Sequence, residues 1–311
     1  MLNKETTLED FLENQDPEVA EIVDAVAGQS IPIRHEIPHR RGDAGTQNIY
    51  GEDQKALDVW VNDLLTHKLI ETNSVYQVVS EENPKPILNP GGEGEYTVAM
   101  DPLDGSSNVK SNNLFGTIIG VYKSRNPAEK GRKQVAAFYK LYGPMITIVL
   151  ATEDGVYEFA KARKTHKKYF LINEQLRFPE PPKLYGVGGN PKKWVPEFRY
   201  FVDLLRDRGL KNRYGGSFVG DFNQVLKYGG FFGYPALLDK PRGKLRLVFE
   251  GNPMSFIAEK AGGLGSTGAQ NILDIEPREM DERIPIYIGN MELISELEKL
   301  FTVCKDAREQ Y

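Results

Sequence analysis

Cysteine is almost missing from this chain, which has one, Cys304, in 311 residues. That excludes an internal disulfide, argues against a zinc–thiolate centre and fits a reducing compartment. Long apolar runs are also missing. None could span a bilayer, and the amino-terminal residues carry early charges where a signal segment would be apolar. A cytoplasmic protein is expected. Positive charge is in deficit, with 39 Lys and Arg against 44 Asp and Glu and a net charge of −5. No nucleic-acid or membrane partner is therefore expected, and a phosphorylated ligand would need a local positive site built from metal or a few cations. The four histidines (His35, His39, His67, His166) lie far in sequence from the Ser106-Ser107 pair, and no Gly-x-Ser-x-Gly elbow is present. Nothing supports a covalent nucleophile. Gly186-Val-Gly188-Gly189 lacks the full spacing of a dinucleotide loop.

What is present is ordinary for a globular protein, 40% hydrophobic and 27% charged, with enough chain for one large or two moderate domains. Helical spacing is read at 17–28, closed by Gly28, and at 53–70. Short strands are predicted at 75–79, 96–100, 115–122, 134–141 and 145–151, with a hairpin turn at Asp154-Gly155. Residues 35–45 read as a mobile loop that closes over the site. A proline and lysine cluster at 178–183 divides the chain into 1–178 and 179–311. Beyond it come a strand (184–187), a helix (194–207), a strand near 211–214, a helix (218–228) and a strand (230–234). An apolar stretch at 245–262, helical after Pro253, a strand (284–288) and a carboxyl-terminal helix (291–301) complete the pattern. Strands and helices alternate throughout on this reading, which predicts a layered α/β fold.

The chemistry concentrates at Asp101-Pro-Leu-Asp-Gly-Ser-Ser-Asn108. A strand ending there would place Asp101 and Asp104 where open α/β sheets hold ligands. Hard cations such as Mg²⁺ take oxygen ligands and share them with substrate phosphate. Gly105, Ser106 and Ser107 could offer amides to that phosphate. The bland alternative is an acidic surface turn. Glu81 and Glu82 follow a predicted strand, where alternation would point them to opposite faces and give them different tasks. Glu52 and Asp58 bracket the start of a helix, where carboxylates also suit the dipole. Glu250 follows an apolar run and would be costly to bury unless ligated or paired. Lys244, Arg246 and Arg213 are candidates to neutralise phosphate, with solvated surface as the alternative. Tyr214, Tyr228 and Tyr234 could hydrogen-bond a phosphate or sugar, or simply edge the core.

At these residues the chain resembles the class I fructose-1,6-bisphosphatases, within the metal-dependent, lithium-sensitive phosphatase superfamily that includes inositol monophosphatases. The Asp-Pro-Leu-Asp-Gly-Ser signature marks the superfamily. Gly51-Glu-Asp-Gln-Lys-Ala-Leu-Asp58, Arg213-Tyr-Gly-Gly-Ser217 leading into Tyr228-Gly-Gly-Phe-Phe-Gly-Tyr-Pro235, and Gly243-Lys-Leu-Arg-Leu-Val-Phe-Glu-Gly-Asn-Pro-Met254 with Glu259-Lys-Ala-Gly-Gly263 narrow it. The resemblance implies a layered α-β-α-β-α sugar-phosphatase fold with two mixed sheets. Most metal ligands would lie in the amino-terminal part, and the distal-phosphate and sugar site in the carboxyl-terminal part. It implies metal ligation by Glu81, Asp101, Asp104, Glu250 and the carbonyl of Leu103, with Glu52 nearby, and a water-activating pair, Asp58 and Glu82. Asp104, Gly105, Ser106 and Ser107 would hold the phosphate removed. Tyr214, Tyr234 and Lys244 would hold the distal phosphate and sugar, and Arg213 would be donated across a subunit interface. Two or three Mg²⁺ per subunit, with Mn²⁺ or Zn²⁺ as substitutes, and a homo-oligomer (tetramer or dimer) are implied.

The departures are specific. Familiar members have Asn-Glu-Gly where this chain has Tyr185-Gly-Val-Gly-Gly-Asn-Pro191, so the resemblance implies that the distal-phosphate asparagine is either missing or displaced to Asn190. That pattern and Asp221-Phe-Asn-Gln224 resemble sedoheptulose-1,7-bisphosphatases. Glu95 precedes Tyr96 where AMP-inhibited members carry lysine, while Arg132 matches an AMP contact. Weak or absent AMP inhibition is expected. The expected activity is Mg²⁺-dependent removal of the 1-phosphate of fructose 1,6-bisphosphate in gluconeogenesis. Alternatives are a sedoheptulose or dual-specificity bisphosphatase, an inositol-type monophosphatase and a non-catalytic sugar-phosphate binder.

Overall fold

The computed structural model describes residues 6–40, 42–47, 53–162 and 168–309. The expected loop at 35–45 is more structured than its polar, glycine-containing sequence suggested. A helix, Ser30–Glu36, runs into it, and strand β1 (Asp43–Gln47) pairs antiparallel with β2 (Asp53–Lys55). Ribbons this short have too few residues to show a period, so sequence alone misses them.

The larger sheet comprises β3 (Val75–Ser80), β4 (Ile87–Leu88), β5 (Tyr96–Asp104), β6 (Phe115–Tyr122), β7 (Gln134–Tyr142), β8 (Ile146–Thr152), β9 (Gly155–Lys161) and β10 (Tyr169–Asn173). Its order is β10-β9-β8-β7-β6-β5-β3-β4, and only β3 and β5 run parallel. Here the expected alternation fails: from β5 to β10 strand follows strand, joined by hairpins and 3₁₀ turns. The second, five-stranded sheet includes the parallel strands Leu184–Val187 and Gly230–Tyr234 and the antiparallel strand Ile286–Asn290. Both sheets are mixed.

Helices fill three layers around these sheets. Pro17–Ala27 starts with proline behind an Asp16 cap, the arrangement that suits a helix start. It packs with Ala56–Ile70 on one face of the larger sheet, burying Ile22, Val23, Val61 and Leu65 against Val98 and Ile119. Phe218–Tyr228 and Asn252–Lys260 lie between the sheets, where Val219, Phe222, Met254 and Ile257 meet Ile118 and Tyr139 from one sheet and Phe232 and Ile288 from the other. Pro196–Asp207 and Met291–Glu309 cover the far face of the second sheet through Phe198, Phe201, Ile294 and Leu297. The result is the α-β-α-β-α stack. No helix among the described residues is long and apolar enough to cross a membrane.

Candidate active site

Because β3 and β5 are parallel neighbours with Ser80 opposite Met100, their carboxyl ends finish at the same edge, and the Glu81 amide donates to the Met100 carbonyl. This brings Glu81 beside Asp101. In a regular strand Asp101 and Asp104, three apart, would face opposite sides. Against β6, however, Asp101 pairs with Ile118 and Asp104 with Gly116, so β5 carries one extra residue there. That bulge re-aims the strand and lets both aspartates line one cavity of 360 Å³. Glu81 and Glu82 also both line it, against the expectation that they point apart. The strand ends at Ser80, so its alternation no longer governs them.

Glu250 enters from the opposite side, on a wide turn (Leu247–Gly251) that leads into the helix Asn252–Lys260. Its Oε2 accepts the Arg246 amide at 2.6 Å. One oxygen from each of Glu81, Asp101 and Glu250 lies within 4.8 Å of the others. Burial, then the charges of Glu81, Asp104 and Glu250, hold the Asp101 carboxyl well above the carboxylate range. Glu250 is pushed up to about 7, first by burial. Three converging hard oxygen donors that repel one another are a set that a divalent cation suits, and they contain no soft ligand. Within the site the Arg246 guanidinium is ion-paired with Glu81, so its charge faces carboxylate.

Asp104 does a further job. Its Oδ2 accepts the Ser217 hydroxyl at 2.7 Å and the Val219 amide at 2.8 Å, anchoring the start of the helix Phe218–Tyr228 to β5. Gly105, at φ +77°, turns the chain at once, and a Cβ there would sit 2.4 Å from that of Ser217. The 3₁₀ turn Ser106–Val109 follows, with Ser106 and Ser107 on the cavity. Asp58, on the first turn of Ala56–Ile70, is buried, and its Oδ1 has no hydrogen-bond partner among the described residues. Burial, then the Glu82 charge, pushes it up to about 7.

The facing wall carries Tyr214, Tyr234 and Lys244, with the Lys244 ammonium 5.7 Å from the Tyr234 ring centre. Gly188 lets them in, since a Cβ there would meet the Tyr234 ring at 2.5 Å and the Tyr214 hydroxyl at 2.8 Å. Leu103 lines the floor. The structure does not bring Asn190 into the cavity: it is exposed, and its side chain accepts the Lys192 amide at 3.0 Å to cap a 3₁₀ turn. Arg213 and Tyr228 also lie outside, stacked on each other at 5.3 Å. Glu52 lies outside the described residues. Sequence reasoning missed Lys55, which lines the cavity beside Asp58, and Ser217. A serine directly before a predicted helix was the available signal for Ser217; Lys55 had none.

Family models for the fructose-1-6-bisphosphatase N-terminal domain and C-terminal domain match residues 18–173 and 178–302. The chain belongs to the fructose-1,6-bisphosphatase family. A "Fructose-1,6-bisphosphatase class 1" of Natronomonas pharaonis is 42% identical over 280 residues, 90% of this chain and 97% of that protein. One from Geobacter sulfurreducens is 45% identical over 250 residues, covering 80% of this chain and 79% of the other. The crystal structure of Leishmania major fructose-1,6-bisphosphatase in holo form superposes with a TM-score of 0.90 at 29% identity, covering 96% of this chain and 100% of that one. Fructose-1,6-bisphosphatase membership thus spans both sheets and every described residue of the cavity.

Proposed function

We propose that this chain hydrolyses the 1-phosphate of fructose 1,6-bisphosphate, giving fructose 6-phosphate and phosphate. The observation that carries it is one cavity with a carboxylate wall and a phosphate-type loop, faced by Tyr214, Tyr234 and Lys244. A substrate with a single phosphate would leave that second wall without a task. The names of the relatives support the same reading.

Glu81, Asp101 and Glu250, with Asp104, the Leu103 carbonyl and Glu52, hold Mg²⁺ in this reading, two or three ions per subunit, with Mn²⁺ or Zn²⁺ as substitutes. The ions supply charge neutralisation for the phosphoryl and leaving oxygens. The amides and hydroxyls of Gly105, Ser106 and Ser107 bind the phosphate and hold it for in-line attack. Asp58 and Glu82 orient the attacking water and accept its proton. A base with its pKa near neutrality suits this task. Tyr214, Tyr234 and Lys244 bind the sugar and distal phosphate. Arg213, exposed and outside its own cavity, serves a neighbouring subunit in a homo-oligomer, as tetramer or dimer. The single cysteine agrees with a cytoplasmic setting.

The test is phosphate release from fructose 1,6-bisphosphate, sedoheptulose 1,7-bisphosphate and inositol monophosphate, each with Mg²⁺ and with EDTA. The highest kcat/KM is expected for the fructose substrate, with activity lost in EDTA. A preference for inositol monophosphate, or release that EDTA leaves intact, would contradict the proposal.

A further inference from the structure

Two segments of the cavity come from different sheets, yet they are tied by a buried side chain that does not line it, Asn108, beside a longer, exposed contact of 3.4 Å from Asn113 to the same Gly215 carbonyl. Asn108 ends the loop that carries Gly105, Ser106 and Ser107. It is buried, and its Nδ2 donates to the Gly215 carbonyl at 2.9 Å and to the Leu114 carbonyl at 2.8 Å. Gly215 follows Tyr214 directly. The same turn is held from its other side by Asp221, whose Oδ1 accepts the Gly215 amide at 2.6 Å and whose Oδ2 accepts the Gly216 amide at 3.0 Å. Gly216 sits at φ +81°, which only glycine adopts without strain. The Tyr214 backbone is thus clamped between the loop at 105–109 and the helix Phe218–Tyr228.

We propose that Asn108 is a positioning residue that fixes the separation between the loop gripping the reacting phosphate and the turn carrying Tyr214. It thereby couples recognition of the two phosphates of one substrate. This rests on the bisphosphate reading above. Asp221 acts on the same turn in the same sense. Asn108 Nδ2 is a donor facing two carbonyls, so no acceptor-only or apolar side chain can replace it. A loosened turn leaves Tyr214 attached to the cavity but off register with the phosphate loop. Binding that needs both grips weakens, while binding through the reacting phosphate alone does not.

The discriminating quantity is the ratio of kcat/KM for fructose 1,6-bisphosphate to that for fructose 1-phosphate, which presents the same reacting phosphate without the distal one. In Asn108→Ala the ratio should fall about tenfold, through a raised KM for the bisphosphate, consistent with losing a neutral hydrogen-bond pair. Fructose 1-phosphate hydrolysis should change less than about twofold. Asp221→Asn, which keeps one acceptor, should lower the ratio in the same direction and serves if Asn108→Ala fails to fold. A parallel loss on both substrates, or no change on either, would overturn the coupling role. Failure of the underlying functional reading would look different: the unmodified protein would show no preference for the bisphosphate.

Discussion

The carboxylate wall of the cavity and the wall that faces it differ in burial, in anchoring and in electrostatic state. Asp58, Asp101, Asp104 and Glu250 are 8%, 7%, 7% and 4% exposed, and each sits on a strand end, helix start or turn fixed by backbone pairing. Tyr214, by contrast, is 45% exposed and lies on a loop. The first wall keeps acids close enough to repel one another, a configuration that costs stability unless a cation or protons offset it. The second is held through its backbone, Tyr214 by the bonded Gly215 and Gly216 and Tyr234 by its pairing with Ile286, while the Tyr214 side chain stays open to solvent. On the proposed reading the difference separates tasks: the buried wall would fix where a bond breaks, and the open wall what is attached to the phosphate.

Substitutions should reveal this asymmetry, beginning with the largest effect. Asp101→Asn, which keeps size but removes charge, should lower kcat at least about 10³-fold in a phosphate-release assay, with the fold retained by circular dichroism. Asp58→Asn should lower kcat about 10²–10⁴-fold and leave KM nearly unchanged, as expected when a proton acceptor is removed. On the opposite wall, Lys244→Ala should raise KM for the bisphosphate roughly tenfold or more with a smaller change in kcat, since one charge-assisted contact is lost. If Lys244→Ala instead behaved like Asp101→Asn, the division of tasks would fail.

The smallest effect concerns stability and pH. The raised pKa values of Asp58, Asp101, Asp104 and Glu250 mean that the metal-free folded chain holds more protons than the unfolded chain between about pH 4 and about pH 7. Its stability therefore falls as pH rises through that window. A bound cation offsets the repulsion, so saturating Mg²⁺ should raise Tm by roughly 5 °C at about pH 8 and by less at about pH 5.5. An Mg²⁺ shift that was larger in acid would contradict the electrostatic account of the carboxylate wall.

The carboxylates were legible in sequence because their residue types advertise their chemistry, and Phe218–Tyr228 because Phe218, Phe222, Val225 and Leu226 recur at helical spacing. What local pattern could not convey was partnership across the fold. The bulge between Asp101 and Asp104 depends on the register with β6, which lies outside any local window. The Asp104–Ser217 bond joins residues 113 apart. It also changes how the site should be probed. Removing the Asp104 side chain leaves the Ser217 hydroxyl and Val219 amide without their acceptor, so Asp101 is the cleaner target. The pairing of Arg246 with Glu81 was equally hidden, because a cation in sequence does not reveal which anion it meets.

Equilibrium binding of Mn²⁺, followed by its paramagnetic resonance without substrate, tests the central claim independently of turnover. The unmodified protein should bind at least one ion per subunit, and Asp101→Asn should lose that binding while Lys244→Ala retains it. Undiminished binding in Asp101→Asn would show that the carboxylate wall is not the cation site.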